Sequence, residues 1–256
     1  RVRGDGIPLL PEHMLLLSVL RRDPEGTRRF GARPETWQAL LPLAQDHRIP
    51  GVVASRLTRT PALAALAPEP ILAGFEEQLR RAARVNFILL QRLDLLAGEL
   101  AERDITTVAL KGSALTRTVY EKPDERTFRD VDVLVPRHRL EEALAVLGGT
   151  GFCSPMDAEQ DRHFAENHFH FVLRDDKGTI IELHWGLVRP ASPYSIEPEG
   201  VIERSLPPRG QSMARLESLE DQLLHAAAQC LSEGFNGMAR PWDVESVLGA
   251  TEGGES

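Results

Sequence analysis

The sequence predicts an α+β fold, a small mixed β-sheet palm flanked by N-terminal and C-terminal helical segments. Three observations predict it. Apolar residues recur at steps of three and four from Ile71 to Leu100, the spacing of one helix face. Short runs rich in β-branched residues, TTVAL, VDVLV, HFHFVLR and TIIELHW, then occupy positions 106 to 185. A second helical block, LESLEDQLLHAAAQCL at 216–231, closes the order. Helices before and after a strand-rich middle place the sheet in one α+β core rather than in an alternating parallel fold.

Pro11-Glu12 opens the first helix, since proline at the first helical position gives up an N–H that has no partner there, and the apolar run MLLLSVL follows. A second helix starts near Pro34 and carries Trp37, Leu40, Leu41 and Ala44. The longest begins around Pro70. Ile71, Phe75, Leu79, Ala82, Val85, Leu89, Leu93, Leu96 and Leu100 make its apolar stripe, with Glu76, Glu77, Arg80 and Arg81 on the solvated side. The pattern changes at Asp104. TTVAL (106–110) is expected as a strand, Ser113 to Tyr120 as a short helix, VDVLV (131–135) as the next strand, and Arg139 to Leu147 as a helix closed by Gly148-Gly149. HFHFVLR (168–174), the turn DDKG and TIIELHW (179–185) form a hairpin. Residues 186–212 are rich in Pro, Ser and Gly and predict an extended connection. WDVESVL (242–248) is a last helical piece. Four regions result: a helical region 1–104, a palm 105–190, an extended linker 191–215 and a helical region 216–256.

With 256 residues, 42% of them hydrophobic and 27% charged, the chain has the composition of a globular protein with a sizeable core. Its formal net charge of −8 argues against a nonspecific grip on long nucleic acid, which needs many phosphate-neutralising Lys and Arg. The two cysteines, Cys153 and Cys230, give neither metal-ligand spacing nor a disulfide framework. No apolar run approaches the roughly 18 residues of a membrane span, and RVRGDG is not followed by a signal-peptide core. The expectation is a cytoplasmic protein without a membrane partner.

The stretch from Leu110 to Pro136 holds the densest chemistry. Lys111-Gly112-Ser113 ends a strand and opens a helix, where unpaired N–H groups favour an anion such as a triphosphate; a plain turn with a Ser cap is the alternative. Side chains alternate along a strand, so Asp130 and Asp132 share a face, and two adjacent carboxylates repel unless a cation lies between them. Mg²⁺ takes oxygen ligands, commonly one or two carboxylates plus substrate phosphates. Glu182, in IIELHW, shares a face with Ile180 and His184 and completes a three-carboxylate set if its strand lies beside VDVLV. Two divalent ions roughly 3.5–4 Å apart could then bridge the reacting oxygens. The alternative is a set of sheet-edge charges paired with Arg126, Arg129 or Lys111.

A Gly-Ser turn, an Asp-x-Asp strand and a further carboxylate on a later strand resemble the DNA polymerase β-type nucleotidyltransferase superfamily. LKGSAL, VYEKPDERTFRDVDVLV, Gly151-Phe152 and IIELHW resemble its bacterial "nucleotidyltransferase 5" branch more closely, and the likeness runs over nearly the whole chain. The resemblance implies a nucleotidyltransferase palm in which Asp130, Asp132 and Glu182 are catalytic and bind Mg²⁺, with Mn²⁺ as a substitute. It implies that Gly112 and Ser113 hold the β- and γ-phosphates of an NTP, ATP above others. Lys111 matches the branch's Lys-Gly, and Arg126 matches an arginine that contacts phosphate or braces the loop. The acceptor hydroxyl would belong to a small molecule, a peptide or protein, or a tRNA.

Histidines supply a competing pattern. His163, His168, His170 and His184 cluster near the hairpin and, with Glu182, could hold zinc or iron as in a metallohydrolase. Surface or hydrogen-bonded imidazoles are the plainer reading. His184, two positions from Glu182, is singled out as a residue that orients a metal ligand or meets the acceptor. His225 in an apolar helix and Trp185 and Trp242 are expected to be structural. A noncatalytic nucleotide sensor is the remaining alternative.

Overall fold

Helices precede and follow one small sheet along the chain. The structure is a computed structural model and describes residues 9–156 and 158–252. It divides into two compact units, with the boundary after Ala83 inside a helix of 33 residues.

The first unit holds the described residues up to Ala83 together with Gly237–Ala239. Its helices are α1 (Pro11–Leu20), α2 (Pro24–Phe30), α3 (Pro34–Asp46), α4 (Pro50–Arg59), α5 (Pro61–Ala64) and the first half of α6 (Glu69–Ala101). Each of α1 to α5 begins on a proline, whose fixed φ and missing N–H suit the first turn. Asp23 caps α2 by accepting from the N–H groups of Glu25 and Gly26. α1 packs against α2, α3 and α4, burying Leu15, Leu16, Val19, Trp37, Leu40 and Leu57.

The second unit contains the sheet. Its elements are β1 (Val108–Ala109), α7 (Lys111–Thr118), β2 (Val131–Leu134), α8 (Leu140–Gly149), α9 (Ala158–Asn167), β3 (His170–Arg174), β4 (Ile180–His184), α10 (Pro198–Arg204), β5 (Arg215–Leu216), α11 (Leu219–Ser232) and α12 (Ala239–Glu252). The sheet order is β3-β4-β2-β1-β5. β3 and β4 are an antiparallel hairpin, and Asp175 shapes its turn by accepting from the N–H groups of Lys177 and Thr179. β4 lies parallel to β2, β2 antiparallel to β1, and β1 parallel to β5.

Strand alternation divides the sheet into two faces. One face gives Ala109, Val131, Val133, Phe171, Leu173, Ile181 and Leu183 to a core that includes Leu89, Leu93, Leu96 and Leu100 of α6 and Leu140, Ala143 and Leu147 of α8. The opposite face carries Asp132, His170, Glu182 and His184, beside a smaller cluster of Val108, Leu110, Leu134, Leu187 and Val201.

Two expectations change. The stripe of α6 runs through Asn86 rather than Val85: Val85 is 39% exposed, whereas Asn86 is 1% exposed and its Nδ2 donates to the carbonyls of Pro123 and Arg126. A polar residue replaces an apolar one there because it ties down a distant loop, which hydropathy cannot register. The expected extended connection carries α10, a short helix started by Pro198 whose Val201 is fully buried. No helix among the described residues is long and apolar enough to cross a membrane.

Candidate active site

The parallel register of β2 and β4 sets Asp132 directly opposite Glu182. Both side chains leave the same face of the sheet, so the carboxylate set expected from the sequence has its geometric basis in this pairing. Asp132 is 3% exposed. Asp130 lies in the bend just before β2, half-buried. Burial raises its pKa above the usual carboxylate value, and the negative charges of Asp132 and Glu182 raise it further.

Lys111 supplies the cation that meets these carboxylates. Its Nζ lies 2.6 Å from Asp132 Oδ1 and 3.0 Å from Glu182 Oε2. Burial alone would lower the lysine pKa, but the two carboxylates outweigh it and raise it, so the ammonium stays charged. The same attraction, with a hydrogen bond from His184, overcomes burial and holds Asp132 well below its usual value. Glu182 is lowered too, burial being outweighed by His184 and Lys111. Three carboxylates against one ammonium leave a surplus of negative charge with oxygen donors exposed to it, which fits a hard divalent cation.

Lys111 also adopts φ 47°, a left-handed conformation rare for a side-chain-bearing residue. That single residue turns the chain from β1 into α7 and aligns the N–H groups of Lys111, Gly112 and Ser113 as a concave helix start beside the carboxylates. Gly112 is required by packing: a Cβ there would lie 2.6 Å from Phe128 Cβ. Ser113 is 1% exposed and its hydroxyl donates to the Leu110 carbonyl at 2.9 Å.

Arg126 is not turned toward the carboxylates. Its Nε and Nη2 donate to both oxygens of Asp243 in α12, at 2.7 and 2.9 Å, and its Nη1 donates to the Thr127 carbonyl. Tyr120 donates to the same Asp243 at 2.8 Å, and Arg240 lies 3.6 Å from it. These contacts brace the loop that carries Asp130. Asp243 is the residue sequence reasoning missed: it stands inside WDVESVL beside Glu245, and nothing in that pattern marks it as the acid that is 1% exposed.

His184 is fully buried behind the carboxylates. Its Nδ1 donates to the Gly186 carbonyl at 3.2 Å, and its Nε2 lies 3.1 Å from Asp132 Oδ1 and 3.3 Å from Glu182 Oε2. His170, its register partner on β3, has its pKa lowered to about 4 by burial and by His184. His168 stacks on Phe164 with ring centroids 4.0 Å apart, and His163 is at the surface. His225 is buried against Glu217, at 3.1 Å, and Trp185 packs on Phe171. A shallow cleft beside Lys111 is lined by Leu115, Glu217, Gln222, His225, Gln229, Arg240 and Asp243.

An uncharacterised nucleotidyltransferase family model matches residues 33–254, most of the chain. The chain belongs to that family. This nucleotidyltransferase also resembles two solved structures of ANT(2″)-Ia, one in complex with adenylyl-2″-tobramycin and one a solution structure of this antibiotic-resistance factor. Both align at a TM-score of 0.45, with 12% and 14% identity, covering 63% and 66% of this chain and 88% and 85% of theirs. An antigenic nucleotidyltransferase-like protein from Paracoccidioides brasiliensis aligns at 0.39 with 18% identity, over 62% of this chain and 75% of its own. No curated protein sequence matches the nucleotidyltransferase. Its activity class is therefore transfer of a nucleotidyl group from an NTP to an acceptor.

Proposed function

We propose that this nucleotidyltransferase moves a nucleoside monophosphate, AMP above others, from a Mg²⁺-bound NTP to an acceptor hydroxyl, releasing pyrophosphate. The observation that carries the reading is the pairing of Asp132 with Glu182 across two parallel strands, with Asp130 close enough to feel both charges and a helix start at the same edge.

Asp130, Asp132 and Glu182 would hold Mg²⁺, which when bound neutralises charge on the phosphates and on the attacking oxygen. Mn²⁺ satisfies the same donors. The N–H groups of Lys111, Gly112 and Ser113 would receive the triphosphate's terminal oxygens, as helix N-termini do for anions. Lys111 has two candidate partners of opposite use: it neutralises Asp132 and Glu182 in the metal-free state, and its long stem lets the ammonium turn to phosphate when a metal takes its place. Glu182, the more exposed of the β2–β4 pair, would accept the proton from the acceptor hydroxyl. Arg126 would act by position, holding through Asp243 the loop that carries Asp130.

The acceptor hydroxyl would belong to a small molecule, a peptide or protein side chain, or a tRNA end. The test is incubation of the full chain with each NTP and Mg²⁺ in cell extract, followed by mass spectrometry of metabolites, peptides and RNA. The expected product is one nucleoside monophosphate heavier, accompanied by pyrophosphate, and absent with Asp132→Asn. Transfer of a phosphate alone, with a nucleoside diphosphate left behind, would refute nucleotidyl transfer.

A further inference from the structure

We propose that His170, Glu182 and His184 form a cation site of their own that takes a divalent transition metal such as Mn²⁺, Co²⁺ or Zn²⁺ in preference to Mg²⁺. It shares Glu182 with the Mg²⁺ set but rests on ligand chemistry alone, not on the transfer reaction.

One ligand atom from each of the three residues lies within 4.8 Å of the other two. The hairpin register produces this convergence. His170 and His184 are paired across β3 and β4, and Glu182 lies two residues before His184 on the same face. Two imidazoles and one carboxylate with a fourth position open is a donor set suited to a borderline metal, since imidazole nitrogen binds such ions far better than it binds Mg²⁺.

His184 is prepared as a ligand. A carbonyl oxygen only accepts, so the contact with Gly186 requires the proton on Nδ1. That hydrogen bond fixes the ring and turns Nε2 inward, the support that metal-binding histidines commonly receive from a backbone carbonyl. Nε2 then faces the oxygens of Asp132 and Glu182, which as carboxylates only accept. The Lys111 ammonium meets those two oxygens in the metal-free chain, and a bound ion would take its place against Nε2. The 3.3 Å separation of His184 Nε2 and Glu182 Oε2 is the edge expected between two ligands of a tetrahedral ion. Bond lengths of about 2.0–2.2 Å at the tetrahedral angle give roughly 3.4 Å.

His170 presents the matching deficit. Its Nδ1 is buried with no hydrogen-bond partner among the described residues. Such an orphaned nitrogen is costly unless something binds the ring. Phe169, 4.6 Å from the His170 ring and 5.8 Å from that of His184, walls the pair with an apolar ring.

The test uses the full chain stripped by a chelator and titrated with Mn²⁺ or Co²⁺ in the presence of excess Mg²⁺. Pulsed electron paramagnetic resonance of bound Mn²⁺ reads nitrogen ligands directly, and Co²⁺ binding is followed by visible absorption. The expected result is one tightly held equivalent with imidazole nitrogen coupling. In His170→Asn affinity should fall on the order of tenfold or more, whereas Asp130→Asn should keep the nitrogen signal. Oxygen coordination alone in the parent protein, or displacement by equimolar Mg²⁺, would overturn the proposal. Should His170→Asn fail to fold, the parent spectrum decides by itself. Mg²⁺–ATP calorimetry on the same samples separates this outcome from failure of the transfer reading.

Discussion

Asp132 and Glu182 stand opposite each other on adjacent parallel strands and share one counterion, the Lys111 ammonium, at 2.6 and 3.0 Å. Two carboxylates in register on neighbouring strands repel, and the Lys111 ammonium offsets that repulsion. The folded chain therefore depends on a positive charge at the position where the proposed chemistry also needs one.

Removing that charge should expose the dependence. Loss of one partner from a buried ion pair costs about 3–5 kcal/mol. Lys111→Met is expected to lose stability on this scale in metal-free urea unfolding, and added Mg²⁺ should restore part of it. Equal stability of the variant and the parent without metal would show that the carboxylates do not need the lysine.

The carboxylates should also give stability opposite pH dependences. Asp130 has a folded pKa raised by burial and by its acidic neighbours, so its contribution is favourable below the ordinary carboxylate range and is lost as pH rises through the folded value. Asp132 is held well below its ordinary value, so its contribution is present above about pH 3.9 and is lost as pH falls through the folded value. Metal-free Asp130→Asn should thus be more stable than the parent at neutral pH, with the gain shrinking in acid. Asp132→Asn should be less stable at neutral pH, with a deficit that shrinks in acid. Unfolding free energies across that pH range check both signs.

Arg126 and Asp243 form a bidentate pair 117 residues apart in sequence, so they tie α12 to the loop before β2. Asp243→Asn should cost about 3 kcal/mol or more, because it strands a buried guanidinium. Arg126→Lys keeps charge but loses the fork, and is expected to remain folded while weakening Mg²⁺–ATP binding several-fold. Unchanged binding in a folded Arg126→Lys protein would mean that the loop holds Asp130 unaided.

Gly112 tests whether packing fixes the helix start. A Cβ there meets Phe128, so Gly112→Ala should cost about 1–3 kcal/mol through overpacking. The penalty should largely vanish in a Phe128→Ala background, measured as a double-mutant cycle. An equal penalty in both backgrounds would point to a ligand-free backbone requirement instead.

Much of this was legible in the sequence where local chemistry decides structure. The helices opened by Pro11 and Pro34, the stripe of α6 and the β3–β4 hairpin follow from first-turn chemistry, a 3.6-residue period and turn residues, and the face shared by Glu182 and His184 follows from strand alternation. What the pattern could not give was pairing across distance. Asp132 against Glu182 requires knowing that β4 lies beside β2, and Arg126 against Asp243 joins segments that no period relates. β5 has only two residues and owes its form to β1, so it carries no signal of its own. Asn86 breaks the stripe because its partners are carbonyls of the loop before β2, and no local pattern decides that Lys111 meets Asp132 and Glu182.

Isothermal titration of the full chain with ATP in Mg²⁺ tests the central claim most directly. The account predicts saturable, Mg²⁺-dependent binding to the parent protein and its loss in a folded Asp130→Asn/Asp132→Asn double variant. No binding to the parent, or equal binding to the double variant, would contradict it.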